Sequence, residues 1–343
     1  MTASPTVAHP TPERIFNTLN AYQNTAALKA AIELDIFTAI GAGATQPAAI
    51  AARVGAAERG VRILCDYLTI FGFLSKSGND YALTPESAMF LDRRSPANVA
   101  SIVGFLGQRE ELSKQFEKLT DAVRKGGCAT QDGDNTKPKP EFWVAFARSM
   151  APITIPAARF LAELLRSGDR NPWKVLDIAA GHGMYGIALA QANPWAQITA
   201  LDWEPVLQVA RENARAAGVG DRYTLQPGSA FEANLGQNYD VVLLTNILHH
   251  FDPPACVKLL RRVHAALRPG GRAVTLEFVP NEDRVSPPTP AAFSLVMLAS
   301  TDAGDAYTAS EYGRMFREAG FAGLTQHPVP GMPQQVLVSE KTA

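Results

Sequence analysis

Lys174-Val175-Leu176-Asp177-Ile178-Ala179-Ala180-Gly181-His182-Gly183-Met184-Tyr185-Gly186 decides how this chain folds. A short apolar run carries an acid near its end, a turn of small residues follows, and Ile187 to Ala192 is apolar again. That order reads as a buried parallel strand, a tight loop and the N-terminus of a helix. Gly181 and Gly183 have no Cβ, so the loop backbone can approach a ligand closely.

The next acid narrows the ligand. A second strand, Gln197-Ile198-Thr199-Ala200-Leu201, ends on Asp202. A carboxylate at the tip of the second strand can accept both hydroxyls of an adenosine ribose. A dinucleotide and S-adenosylmethionine (SAM) both carry that ribose. Asp177 favours SAM, because a carboxylate at the first strand tip suits an ammonium group and repels a pyrophosphate.

Downstream, strands are predicted near 174–178, 197–201, 223–227, 239–244 and 271–278, with helices at about 185–193, 205–217 and 253–267. This alternation is a doubly wound parallel sheet. Arg268-Pro269-Gly270-Gly271 reads as a helix stop and turn into the fifth strand. A helix from Ser310 to Ala319 then precedes Gly323–His327 and Gln334–Ser339, two strands close enough to pair antiparallel. Such a reversed final strand is unusual for a dinucleotide sheet and again favours SAM.

Upstream, residues 12–40 carry Ile15, Leu19, Tyr22, Ala26, Ala30 and Leu34 at helical spacing. Thr45 can cap a helix through Val54, and Ala57 begins another with Val61, Leu64 and Leu68 on one face. Phe73–Lys76, the turn Ser77–Asp80 and Tyr81–Leu83 form a hairpin signature. Helices followed by a hairpin describe a winged helix. Glu58, Arg59, Arg62 and Asp66 cancel on the would-be recognition helix, so DNA binding is disfavoured and a symmetric dimer interface is favoured. Val99, Ile102, Phe105, Leu106 and Leu112 continue helical spacing, and Lys125 to Pro140 reads as a loop or linker. From Phe142 to Leu165 a largely helical stretch follows. The domains expected are a disordered tail over 1–11, a winged-helix domain over 12–115, a linking segment over 116–170, and a ligand-binding domain over 171–343.

The whole chain has 32 basic and 33 acidic side chains, which leaves no field to attract a polyanion. Cys65, Cys128 and Cys256 are odd in number and far apart, which suggests neither a disulfide framework nor a metal site. With no signal peptide and no membrane-length apolar run, the expectation is a soluble cytoplasmic protein.

The residues with chemistry lie at the carboxyl ends of the strands, where open α/β sheets bind ligands. They are Gly228-Ser229-Ala230-Phe231 and Thr245-Asn246-Ile247-Leu248-His249-His250-Phe251-Asp252. Methyl transfer needs acceptor and methyl held in line, water excluded, and a base if the acceptor is a hydroxyl. A histidine suits that base, and Glu277 at the end of the fifth strand could orient its ring and stabilise the imidazolium it becomes.

Together these residues make the chain similar, from about Pro12 to Ser339, to a known family. It resembles the small-molecule O-methyltransferases with an N-terminal winged-helix dimerisation domain, a group of plant caffeate-type and bacterial natural-product enzymes. The resemblance implies a class I SAM-methyltransferase sheet with its last strand antiparallel, and a homodimer through the N-terminal domain. It implies SAM as cofactor, with S-adenosylhomocysteine (SAH) as product. Position by position, the stretch from Val175 through Gly183, with Asp177, Ala179, Gly181 and Gly183, looks like the SAM loop. Asp202 falls at the ribose and Trp203 beside the adenine. Ser229 and Ala230 stand where the family has Asp and an apolar residue. Thr245, followed by Asn246, replaces a common Lys or Arg. Leu248-His249 matches the family's Leu-His, with His250-Phe251 in place of Asp-Trp. His249 is thus the candidate base, and Glu277 matches a flanking Glu. A second flanking Glu is replaced by Ala306, next to Asp305. The acceptor pocket would draw on Phe142, Trp143, Phe146, Met150, His250, Phe293, Met297 and Leu298, which implies an aromatic or polyketide-like acceptor. Three rival readings are transfer to carbon or sulfur without an obligatory base, a SAM-responsive DNA-binding regulator, and an NAD-dependent oxidoreductase.

Overall fold

A computed structural model describes residues 10–103, 110–130, 134–137, 139–165 and 171–342. Met1–His9, Phe105, Leu106 and the Leu112 side chain, all read from the sequence above, lie outside the described residues. The chain forms two compact units, residues 1–108 and 109–343.

In the first unit the helical stretch after Pro12 is three helices, α1 (Glu13–Leu19), α2 (Tyr22–Glu33) and α3 (Ile36–Gly41). The break before α3 is Asp35, whose φ of +58° is left-handed and tolerable for an Asp. Helix α4 (Pro47–Val54) has Pro47 in its first turn and Gln46, not Thr45, at its N-cap. The Thr45 hydroxyl instead donates to Asp80 Oδ1 at 2.7 Å and ties the helix entry to the hairpin. Helix α5 (Glu58–Ile70) buries Val61, Cys65 and Leu68. Strands β1 (Leu74–Ser77) and β2 (Asp80–Leu83) pair antiparallel, and α6 (Pro85–Phe90) follows. The core gathers Ile32, Ile36, Phe37, Ile50, Leu68 and Tyr81. By contrast, α1 buries nothing: Ile15, Phe16 and Leu19 are each more than half exposed.

The second unit opens with α7 (Glu110–Glu117), α8 (Leu119–Lys125) and the long α9 (Pro140–Leu164). Then β3 (Lys174–Ile178), α10 (Met184–Ala192), β4 (Gln197–Asp202), α11 (Glu204–Ala216), β5 (Tyr223–Pro227), β6 (Tyr239–Thr245), α12 (Pro253–Ala266) and β7 (Leu267–Glu277) alternate. Helices α13 (Pro288–Ser300) and α14 (Ala309–Glu318) precede β8 (Thr325–Pro328) and β9 (Gln335–Glu340). The seven strands lie in the order β5-β4-β3-β6-β7-β9-β8, parallel except for β9, which is antiparallel to both neighbours. Strand order reverses between β3 and β6, so their carboxyl ends open the crevice where such sheets take ligands.

The predicted turn at Arg268–Gly271 lies inside β7. Leu267 already pairs with Tyr239, and the register resumes at Arg272 with Val241. The helix does stop where the sequence places it, but the intervening residues form an irregularity in the strand, with Gly270 at φ +72°.

The period of two along β3 sorts its side chains between the two layers. Val175 faces the layer built from α9, α10 and α11, with Leu161, Tyr185 and Leu207. Leu176 and Ile178 face the layer of α12 and α14, with Leu260 and Phe316. Asp177 shares the parity of Val175 and is therefore committed to the α10 side.

Candidate active site

A cavity of ≈ 170 Å³ opens in the second unit at the carboxyl ends of β3, β4, β5 and β6. The loop after β3 supplies Ala179, Ala180, Gly181 and His182; Asp202 and Trp203 follow from β4; Gly228–Phe231 come from the end of β5. The end of β6 supplies Thr245, Asn246, Ile247, His250 and Phe251, and α9 contributes Trp143 and Phe146.

Asp202 is held by the backbone. Its Oδ2 accepts the Gly181 N–H at 2.8 Å and its Oδ1 the Trp203 N–H at 2.7 Å. Burial pushes its carboxyl up to about 6, against these two donors, which favour the charged form. Gly181, at φ +56°, has only Ala179 O within 4 Å of where a Cβ would stand, at 3.8 Å, so the cavity wall here is bare backbone.

Gly183 does different work. A Cβ there would stand 2.7 Å from the Tyr223 hydroxyl and 3.1 Å from Ala210 Cβ. It is outside the cavity lining and lets α10 close on α11. Asp177 is also outside the lining and fully buried. Its Oδ2 accepts the Gly186 N–H at 3.3 Å while Oδ1 has no partner, and burial raises its carboxyl to about 7. The strand period explains this placement: position 177 points beneath the loop, toward the first turn of α10.

Two cavity histidines are kept neutral. His182 Nδ1 accepts the Met184 N–H at 3.1 Å, and burial lowers its pKa to about 4. His250 is pushed well below the ordinary imidazole range by burial, with the neighbouring His249 adding to it. Neither opposes a cation in the cavity. Beside them Asn246 adopts φ +54°, a left-handed backbone that Asn tolerates.

His249 is 3 % exposed and its partner Glu277 is fully buried. Glu277 Oε2 meets His249 Nδ1 at 2.5 Å, and Oε1 accepts the Leu248 N–H at 2.9 Å. A carboxylate only accepts, so Nδ1 carries the proton and Nε2 of the neutral ring carries the lone pair. Phe293 covers this ring at 4.9 Å between centroids, and Phe278 stacks on Phe293 at 4.0 Å. Asp305 is engaged elsewhere, with Arg284 at 3.1 Å, and does not take the place of the carboxylate missing at Ala306.

Of the expected acceptor pocket, Trp143, Phe146 and His250 line the cavity. Trp143 and Phe146, three positions apart, share one face of α9. Phe142 lies on the neighbouring buried face, and Met297 is also buried; neither they nor Met150, Phe293 and Leu298 line the cavity. Asn135, Thr136 and Tyr185, which no sequence motif marks as site residues, also line it. Asn135 sits in what reads as a polar linker, and Tyr185 in an apolar helix turn, so neither carries a local signal.

Among the described residues no group of three or more His, Cys, Asp or Glu could hold a metal, and no helix is long and apolar enough to cross a membrane.

Known proteins share this architecture. Residues 135–322 match the model of the O-methyltransferase domain, and residues 16–93 that of the O-methyltransferase dimerisation domain. The tetracenomycin polyketide synthesis 8-O-methyl transferase TcmO of Streptomyces glaucescens is 27 % identical, over 96 % of this chain and 97 % of its own. A solved protein of Nostoc punctiforme, described as an O-methyltransferase, is 48 % identical with a TM-score of 0.92, covering 97 % of this chain and 100 % of that one. PigF, solved with SAH, is 27 % identical with a TM-score of 0.81, covering 97 % of this chain and 100 % of its own.

Proposed function

The chain belongs to the SAM-dependent O-methyltransferase family, and from that premise we propose that it methylates a hydroxyl of a small aromatic or polyketide-like acceptor, with His249 as general base. The observation that carries this reading is the clamp of Glu277 on His249 Nδ1 beside the cavity. SAM, when bound, supplies a methyl group already activated on a sulfonium. Everything else falls to the chain. Asp202 would hold the ribose hydroxyls, and Trp203, Ser229 and Ala230 would frame the adenine. Ala179, Gly181, Thr245 and Asn246 would line the rest of the donor site, with Asp177 and Gly183 shaping its loop from behind.

On the acceptor side, Trp143, Phe146 and His250 would form an aromatic wall, with Phe142, Met150, Phe293, Met297 and Leu298 backing it. His249 Nε2 would receive the hydroxyl proton as the oxygen attacks, and Glu277 would stabilise the imidazolium that results. The aromatic enclosure excludes water from the reacting atoms. The test is a labelled-methyl assay over phenols, thiols and enolic acceptors, with products identified by mass spectrometry. Transfer confined to carbon or sulfur would refute the hydroxyl assignment.

The segment from Gly304 to the His249–His250 backbone offers a sharper check. A Cβ on Gly304 would collide with His249 O and stand 2.9 Å from His250 C. Gly304→Ala is expected to lower kcat about tenfold or more by shifting the base, because small misplacements are costly in rate. SAH affinity, measured by calorimetry, should not change.

We further take residues 12–115 as a homodimerisation domain, 116–170 as the link that lines the acceptor pocket, and 171–343 as the SAM domain. An exposed apolar α1 is unusual on a monomer, and a second copy of the chain would cover it. Light scattering on the eluting protein should give twice the chain mass. Phe16→Asp should shift it toward the single-chain mass; a monomeric parent would refute the dimer.

A further inference from the structure

Three residues that line the cavity carry a buried polar atom with no partner: Asn135 (Oδ1), Asn246 (Oδ1) and His250 (Nδ1); Asn246 is assigned to the donor site above, which leaves Asn135 and His250. Asn135 is 7 % exposed, so its amide is almost wholly withdrawn from water. Its position is fixed. The Asn135 N–H donates to Ser300 O at 2.8 Å, the Cys128 N–H donates to Thr301 O at 2.8 Å, and Thr136 is closed onto Asp134. Ser300 ends α13, the helix whose Phe293 makes an edge contact with the His249 ring. Asn135 is therefore tied to the end of the helix that also carries the ring packed against the base.

His250 is fixed as well. Its ring lies 4.4 Å from that of His249 and makes an edge contact with Trp143 at 5.5 Å. A group bound at His250 is thus one imidazole away from a group bound at His249. Where the resemblance gives the family an Asp, which can only accept, this chain has a neutral ring that both donates and accepts.

Buried polar groups are rarely left without partners, and one that is unpaired on a cavity wall is satisfied when a ligand group reaches it. We propose that Asn135 and His250 recognise a second polar group of the acceptor, so that the preferred substrates are aromatics with a hydroxyl or N–H next to the hydroxyl that is methylated. This deepens the methyltransferase reading above and rests on it. The amide oxygen accepts a hydrogen bond from the second group, and the His250 ring accepts or donates the remaining one. A mono-hydroxylated ring leaves both atoms unpaired, and sites built around a hydroxyl discriminate strongly against analogues without it.

The test is titration of the SAH-saturated protein with 2,3-dihydroxynaphthalene and with 2-naphthol. The diol should bind about 10- to 100-fold more tightly. Asn135→Ala, which keeps the backbone bond to Ser300, and His250→Phe should each bring the diol to within about threefold of the naphthol, with the SAH dissociation constant unchanged. SAH binding reports the fold of each variant; if His250→Phe does not hold SAH, Asn135→Ala decides. Equal binding of the two probes by the parent protein overturns the inference, as does a preference that survives in Asn135→Ala. Loss of SAH affinity in that variant also overturns it, by assigning Asn135 to the donor. Failure of the parent to bind SAH would instead strike the methyltransferase reading itself.

Discussion

His249→Asn should lower kcat for a phenolic acceptor by about 10²- to 10⁴-fold while leaving SAH affinity within about twofold. Asn is the informative substitution. Its Nδ2 stands close to where His249 Nδ1 stands and can still donate to Glu277 Oε2, so the carboxylate is not left unpaired in the interior. What is removed is Nε2, the nitrogen that carries the lone pair. His249→Ala removes both and strands a fully buried carboxylate, so it mixes lost catalysis with lost stability. Glu277→Gln complements the pair. Two donors, Leu248 N–H and His249 Nδ1–H, converge on that side chain, and an amide has one oxygen to offer them. The amide NH₂ then faces a donor, the ring loses its orientation, and kcat is expected to fall about 10- to 100-fold with SAH binding preserved. Rapid-quench assays with saturating SAM measure the methyl-transfer step directly. An unchanged kcat in His249→Asn would remove the general base and move the chemistry to a base-free transfer.

The sheet was legible because its signals are local. The apolar runs of β3, β4 and β6 have no competing helical period, and the short spacing of β8 and β9 favours antiparallel return. The bulge in β7 was not, because Pro269-Gly270-Gly271 carries the same turn chemistry whether it precedes a strand or interrupts one. At the site, Asp202 and His249 were legible from their places at strand ends. Asp177 was legible as an acid at a strand tip, but its direction depends on which face of β3 its parity selects, and the first strand's two faces are both apolar. The aromatic wall was half legible. Trp143 and Phe146 reach the cavity, whereas Phe142 and Met297 face the core, and composition alone does not separate two faces of a helix. Asn135 left no trace, since a polar residue in a stretch rich in Gly, Asp, Lys and Pro has the composition of a linker. Among the described residues, backbone bonds to Ser300 and Thr301 tie that stretch to the end of α13.

Asp202→Ala should weaken SAH binding by about 10²- to 10³-fold, whereas Asp177→Asn should change it far less, and the difference between them locates the ribose contact. Asp202 is anchored by two backbone donors yet lines the cavity, so its remaining lone pairs point at the ligand. Charge-assisted bonds to two ribose hydroxyls contribute about 1.5–3 kcal/mol each, which sets the scale of the loss. The two acids also impose a pH dependence whose sign differs between stability and binding. Burial raises both carboxyls in the folded chain, Asp202 to about 6 and Asp177 to about 7. The folded protein thus holds protons that the unfolded chain releases near pH 4. The stability linked to them is complete below that value and is lost as pH rises through about 6 and then about 7. Binding runs the other way. The ribose hydroxyls donate, so they want the charged Asp202, and SAH should bind about tenfold more weakly at pH 5 than at pH 8. Asp177→Asn keeps an acceptor for Gly186 N–H and removes a buried charge whose Oδ1 has no partner. It should therefore raise the Tm of the free protein at pH 8 and flatten its decline with pH, while the pH dependence of SAH binding persists. Calorimetry and thermal melts across pH 5 to 8 measure both. SAH binding that is insensitive to Asp202→Ala but lost in Asp177→Asn would place the ligand on the other acid and reverse the roles assigned to the two strand tips.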